Sequence, residues 1–119
     1  MKIELGATRR VFVFNKFVIK IPNTQQYDLL LLGILANLQE KLWTGSHPDL
    51  AKVHWCGFLG LVLIMEKAVP LWRNDWEEFM SMLEDKYKDD ELKDFMLSDC
   101  KPSNWGYVGD HLVKIDYGN

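Results

Sequence analysis

Cysteine is scarce in this chain. There are two, Cys56 and Cys100, with no CxxC pair and no Cys/His spacing of the kind that ligates zinc. This excludes a disulfide framework and a structural zinc site, and reduced thiols in a cytoplasmic protein are the expectation. Long apolar runs are lacking too. The longest, 29–32 and 59–65, fall far short of the ~20 residues that span a bilayer, so no membrane segment is expected. Met1-Lys2 opens a mixed segment rather than an apolar stretch with a cleavage site, so no secretory signal is expected. No charge of one sign dominates: fourteen Lys and Arg stand against seventeen Asp and Glu, a formal charge of −3. That gives no general electrostatic reason to bind nucleic acid or an anionic membrane. His47, His54 and His111 lack metal-ligand spacing, and neither repeats nor low-complexity tracts occur.

What is present is apolar and aromatic. Of the 119 residues, 48% are hydrophobic and 13% aromatic, which fits one compact domain rather than a disordered segment. A chain of this size buries roughly two-thirds of its unfolded surface, enough for a single core. Trp43, Trp72 and Trp76 are expected to be core or interface anchors.

The pattern is α+β. Residues 11–14 and 17–21, β-branched and aromatic around Asn15-Lys16, predict a tight hairpin ended by Pro22. From about 25 to 43, leucines at 31, 35, 38 and 42 recur at spacings of three and four and predict a helix whose leucine stripe faces a core. Gly33, Ala36 or Asn37, and Glu40 share another face, where small residues permit close approach to a sheet. Gly45 and Pro48 close the helix. Residues 51–55 and 59–65, separated at Gly57, predict a second antiparallel pair, and 66–70 reads as a linker. Asn74 with Glu77 forms a capping box worth about 1 kcal/mol, after which Trp76, Phe79, Met80, Leu83 and Tyr87 mark an apolar helical face. A short helix or turn over 91–97 and a brief strand over 112–115 follow.

The chemistry lies in Asp99-Cys100-Lys101-Pro102-Ser103-Asn104 and in Asp116-Tyr117-Gly118. An Asp, a Lys two residues on, an Asn five residues on and a later Asp-aromatic-Gly are what phosphoryl transfer needs. One carboxylate orients an acceptor hydroxyl, an ammonium offsets phosphate charge, and an amide oxygen and second carboxylate hold metal. Each motif alone is weak, and their order makes them specific. The segment 99–118 resembles the catalytic and metal-binding loops of protein kinases and their small-molecule-kinase relatives. The resemblance implies ATP and Mg²⁺ as cofactors, Asp99 as catalytic base, Lys101 as a phosphate contact, and Asn104 and Asp116 as metal ligands.

Upstream, Phe17-Val18-Ile19-Lys20-Ile21 resembles the third strand of the kinase N-lobe, which implies that Lys20 holds the α- and β-phosphates. Glu40 is the candidate ion-pair partner, with Asp28 and Glu66 as competitors. Residues 59–70 resemble the fifth strand and hinge, placing Met65 at the gatekeeper-like position and backbone contacts to adenine at Glu66 to Ala68. The glycine-rich loop is reduced: Leu5-Gly6-Ala7-Thr8-Arg9-Arg10-Val11 keeps only Gly6. Arg9 and Arg10 either supply charge to phosphate or form a solvated pair.

Leu97-Ser98 stand where kinases usually carry His-Arg, and the chain ends just past Gly118. The resemblance implies a single kinase-like domain: an N-lobe-like sheet with one packed helix over 1–66, a hinge over 67–70, and a truncated, mostly helical C-lobe remnant over 71–119. Two functions stay open. One is a minimal Mg-ATP phosphotransferase acting on a protein acceptor; the other is a non-catalytic kinase-like interaction module that binds and regulates a partner or host protein. Either would suit a phage or mobile-element accessory protein, and a homodimer would be the simplest cover for the open lower face.

Overall fold

The structure, a computed structural model, describes residues 2–71, 75–98 and 101–118. It is α+β. The strands β1 (Lys2–Leu5), β2 (Arg9–Val13), β3 (Phe17–Pro22), β4 (Val53–Cys56) and β5 (Leu63–Glu66) form an antiparallel sheet in the order β1-β2-β3-β5-β4, and α1 (Tyr27–Trp43) lies between β3 and β4 in the chain. A second antiparallel sheet, β6-β7-β8, combines β6 (Val69–Pro70) with β7 (Trp105–Val108) and β8 (His111–Lys114); α2 (Trp76–Tyr87) and α3 (Lys93–Leu97) come between its first two strands.

The hairpin forms where the sequence predicts it. Val13 pairs with Val18, the Phe14 N–H donates to the Phe17 carbonyl at 3.0 Å across Asn15-Lys16, and the two phenylalanine rings stack. β1 was not predicted: Lys2-Ile3-Glu4-Leu5 alternates polar and apolar, but the run is only four residues long and lies exposed on an edge. The second predicted pair also forms, but later in the chain: 58–60 is a tight 3-10 turn with Leu59 and Gly60 at φ 61° and 72°, and the strand starts at Leu63.

The helix is where the periodicity puts it, but its orientation is a correction. Leu31, Leu35, Leu38 and Leu42 face outward, at 44%, 60%, 38% and 78% exposure, while Gly33, Ala36, Asn37 and Glu40 are buried. Close backbone contact decides this. A Cβ at Gly33 would lie 2.6 Å from the Thr8 carbonyl oxygen and 2.7 Å from the Pro22 Cα, a gap that a row of leucines cannot enter. Asn37 fixes the same face, donating to the carbonyls of Lys20 at 3.2 Å and Gly60 at 2.8 Å.

The second half is less helical than expected. The 66–70 linker contains β6, where Val69 and Pro70 pair with Tyr107 and Gly106, and β7 precedes the single brief strand that the sequence suggested. Leu63, Met65, Phe79, Leu83, Tyr87, Trp105 and Val113 belong to one buried cluster, so a single core joins both sheets to α2. The α2 face forms as predicted through Phe79, Leu83 and Tyr87, except that Trp76, the first helical residue, is nearly half exposed. Asn74 of the predicted capping box and Trp72 lie outside the described residues. Trp43 stacks on Phe95, with ring centroids 4.3 Å apart.

A polar clasp closes the assembly. Asp49 accepts from the Tyr87 hydroxyl at 2.8 Å and pairs with His111 Nε2 at 2.6 Å. The Asp49 N–H donates to His47 Nδ1 at 2.9 Å, which leaves Nε2 to carry the proton toward Asp90 at 2.7 Å. The chain around Asp49 runs beside β8: the Lys114 N–H donates to the Asp49 carbonyl and the Ala51 N–H to the Lys114 carbonyl. The fold thus gathers His47 and His111, far apart in sequence, around carboxylates. Among the described residues, no group of three or more His, Cys, Asp and Glu is arranged to hold a metal.

Candidate functional site

Strand pairing builds one wall. Val11 lies opposite Lys20, Val13 opposite Val18, and Val18 opposite Met65, so alternate residues of three strands share a face. A cavity of ≈ 400 Å³ opens on that face, bounded across from it by Glu66 to Ala68, Pro70, Ser103, Ile115 and Asp116. Val11, Val13, Val18, Met65, Ala68 and Ile115 give it an apolar interior, and Arg9, Lys20 and Asp116 give it a charged end.

At the charged end, Lys20 Nζ donates to Glu40 Oε1 at 3.0 Å and Oε2 at 3.2 Å, and to the Ile115 carbonyl at 2.8 Å. Glu40, rather than Asp28 or Glu66, is therefore its partner. Arg9 joins the same carboxylate, Nη1 to Oε1 at 2.6 Å and Nη2 to Oε2 at 3.1 Å, then reaches Asp116 Oδ1 at 3.0 Å and Asn37 Oδ1 at 3.0 Å. The Tyr117 N–H donates to Glu40 Oε2 at 3.0 Å. Glu40 is fully buried, and the Lys20 and Arg9 side chains are only 6% and 7% exposed.

Burial alone would raise the Glu40 pKa, but Lys20 and Arg9 together outweigh it and hold the carboxyl below its ordinary range. Burial lowers the Lys20 pKa; Glu40 offsets part of that, and the neighbouring positive charge of Arg9 adds to the lowering. For Arg9, burial is outweighed by Glu40 and Asp116, which raise its pKa further. The result is a network in which two buried cations share the buried Glu40, and Arg9 also reaches the part-exposed Asp116.

Asp116-Tyr117-Gly118 is strapped under α1. Gln39 Nε2 donates to the Tyr117 carbonyl at 2.9 Å, the Tyr117 hydroxyl donates to the Ala51 carbonyl at 2.6 Å, and a Cβ at Gly118 would meet the Ala36 carbonyl oxygen at 2.7 Å. Asn104, nearly buried, ends the short 3-10 turn Pro102–Asn104, and its carbonyl accepts the Ile115 N–H at 2.7 Å, so that turn lies against the chain leading to Asp116. Lys101 is exposed, and Asp99 lies outside the described residues. Gly6 lines the cavity, but its N–H closes a turn onto the Arg9 carbonyl at 2.8 Å. Glu66 turns its side chain away, Oε1 accepting the Lys52 N–H at 2.9 Å.

No protein-family model matches this chain, and neither does a curated protein or a solved structure.

Two residues of this region were given no site role from the sequence. Asn37 joins Arg9 to the sheet backbone. Lys114, 1% exposed, donates to the carbonyls of Phe95 at 2.9 Å and Ser98 at 2.6 Å, anchoring the end of α3 just ahead of Asp99. Its signal was the one that marked Lys20: a lysine within an apolar strand.

The divalent ion implied by the kinase resemblance would sit on Asn104 and Asp116. One oxygen of Asp116 already accepts a guanidinium that cannot release its proton, so a metal there would share the carboxylate with a permanent cation. The residues do not fit that ion. The cavity itself, apolar with a charged end, lies within the range of about 300–1,000 Å³ that small-molecule sites occupy.

Proposed function

We propose that this chain is a kinase-like protein that binds an ATP-type nucleotide in the cavity beneath β2, β3 and β5. One observation carries the reading. Lys20, Glu40 and Asp116, far apart in sequence and each singled out by the kinase resemblance, converge with Arg9 at the charged end of an apolar cavity bounded by β5 and the 66–70 segment. Val11, Val13, Val18, Met65 and Ala68 would sandwich the flat base. The N–H groups of Glu66 and Lys67 already donate to the carbonyls of Lys52 and Lys16, so backbone recognition of adenine falls to Ala68. Lys20 would face the phosphates. Phosphoryl transfer to a protein acceptor is the activity that Asp99 and Lys101 would add, one orienting the hydroxyl and the other offsetting charge.

Thermal melting with ATP tests the binding. A ligand at a hundred times its dissociation constant stabilises by about 2.7 kcal/mol, which moves the midpoint by several degrees. No shift with ATP or ADP, with or without Mg²⁺, would sink the proposal. Labelled γ-phosphate transfer that disappears in Asp99→Asn would establish the enzyme.

The outward leucines favour a second reading, an interaction module. Leu31, Leu35, Leu38 and Leu42 follow the four-three-four spacing of a helix–helix seam, and Leu38 packs beside Gly60 in the turn that exposes Phe58 and Leu59. A helical face of a protein partner, or of a second copy, would cover them. Light scattering of the native chain and of Leu35→Glu/Leu42→Glu tests the second copy. A native monomer at the highest soluble concentration rules it out.

A further inference from the structure

We propose that Arg9 is the built-in cation of this cavity, so that nucleotide binding needs no divalent ion. This deepens the nucleotide reading above and rests on it.

Arg9 is not one of a solvated pair. It starts β2, pairs with Pro22, and its side chain runs inward to bond Glu40 and Asn37 on α1 and Asp116 from the far end of the chain. Four hydrogen bonds to three residues on two separate segments hold the guanidinium fork, an arrangement that rigid geometry favours and a flexible ammonium would not reproduce.

Its charge decides what the cavity accepts. Without Arg9, the charged end would present Lys20 against Glu40 and Asp116, one cation to two carboxylates, and a phosphate would be repelled unless a metal came with it. Arg9 makes the balance even. The neutralisation is permanent, because a guanidinium stays protonated at any working pH. A divalent ion on Asp116 would then approach a fixed positive charge 3.0 Å from the same oxygen, with no proton to expel.

The experiment measures ATP binding to the full chain by calorimetry, in EDTA and in MgCl₂. Dissociation constants agreeing within about threefold support the proposal, and a weakening of about tenfold or more in EDTA overturns it. Asp116→Asn sharpens the test, because the two models predict opposite signs. The asparagine keeps an oxygen for Arg9 while removing a negative charge, so ATP should bind more tightly in EDTA; a metal-requiring site would lose binding instead. Arg9→Gln should weaken binding in EDTA by about tenfold and create a dependence on Mg²⁺ that the native chain lacks. Should that variant fail to fold, the EDTA comparison and Asp116→Asn still decide. No ATP binding under any condition overturns the nucleotide reading together with this one, whereas binding that requires Mg²⁺ overturns this one alone.

Discussion

Replacing Glu40 by glutamine should be the most damaging isosteric change in this protein. Glu40 accepts from Arg9 at 2.6 and 3.1 Å, from Lys20 at 3.0 and 3.2 Å and from the Tyr117 N–H at 3.0 Å, all in full burial. An amide keeps one acceptor oxygen and turns a donor toward a cation, leaving Arg9 and Lys20 with Asp116 as their only carboxylate. Breaking a buried pair from one side costs about 3–5 kcal/mol, because an uncompensated charge stays inside. Against a total stability of roughly 5–15 kcal/mol, that is a large share. For a chain of this length the midpoint should fall by roughly 10–20 °C. Urea unfolding followed by circular dichroism would measure it, with the exposed Glu84→Gln as control and an expected effect within about 0.5 kcal/mol.

The acid limb provides an independent check. Glu40 has a depressed folded pKa, so its contribution is fully present above the unfolded carboxylate value, roughly pH 4–5, and is lost as pH falls through the lower folded value. The native chain should lose stability steeply below about pH 4, and Glu40→Gln should show a shallower slope there. A Glu40→Gln loss below about 1 kcal/mol, or parallel acid limbs, would refute the buried network as a source of stability.

Three further outcomes follow from the packing. Gly33→Ala should cost about 1–3 kcal/mol in urea unfolding, because its methyl would meet the backbone of Thr8 and Pro22 rather than a movable side chain. Leu42→Ser, at 78% exposure, should change monomer stability by less than about 0.5 kcal/mol, whereas a core-facing leucine would cost several kcal/mol. Lys114→Met should cost about 2–3 kcal/mol by stranding the carbonyls of Phe95 and Ser98, and hydrogen exchange should rise first at the end of α3.

Local pattern carried the elements. The β2–β3 hairpin is dictated by two apolar runs around Asn15-Lys16, and α1 by a leucine period that no strand could satisfy. The apolar face of α2 was equally legible, because Phe79, Leu83 and Tyr87 recur at helical spacing against a core. The shortest strands were not legible: β1 is four exposed residues, and β6 has two.

The candidate site divided along the same line. That Lys20, Glu40 and Asp116 meet was implied by the kinase resemblance, with Asp28 and Glu66 as competitors to Glu40; a lysine near the end of an apolar strand would by itself read as a solvated edge residue. The sequence could not say which face of α1 would turn inward. Hydrophobic period alone favours the leucines, but the inner face was decided by Gly33 allowing contact with the sheet and by Glu40 being held between two cations. Nor could it tell a solvated Arg9 from a buried one, since that depends on Asp116, 107 positions away. Period and turn chemistry are local and written in the chain; the burial of a charge depends on partners that only the tertiary structure brings within 3 Å.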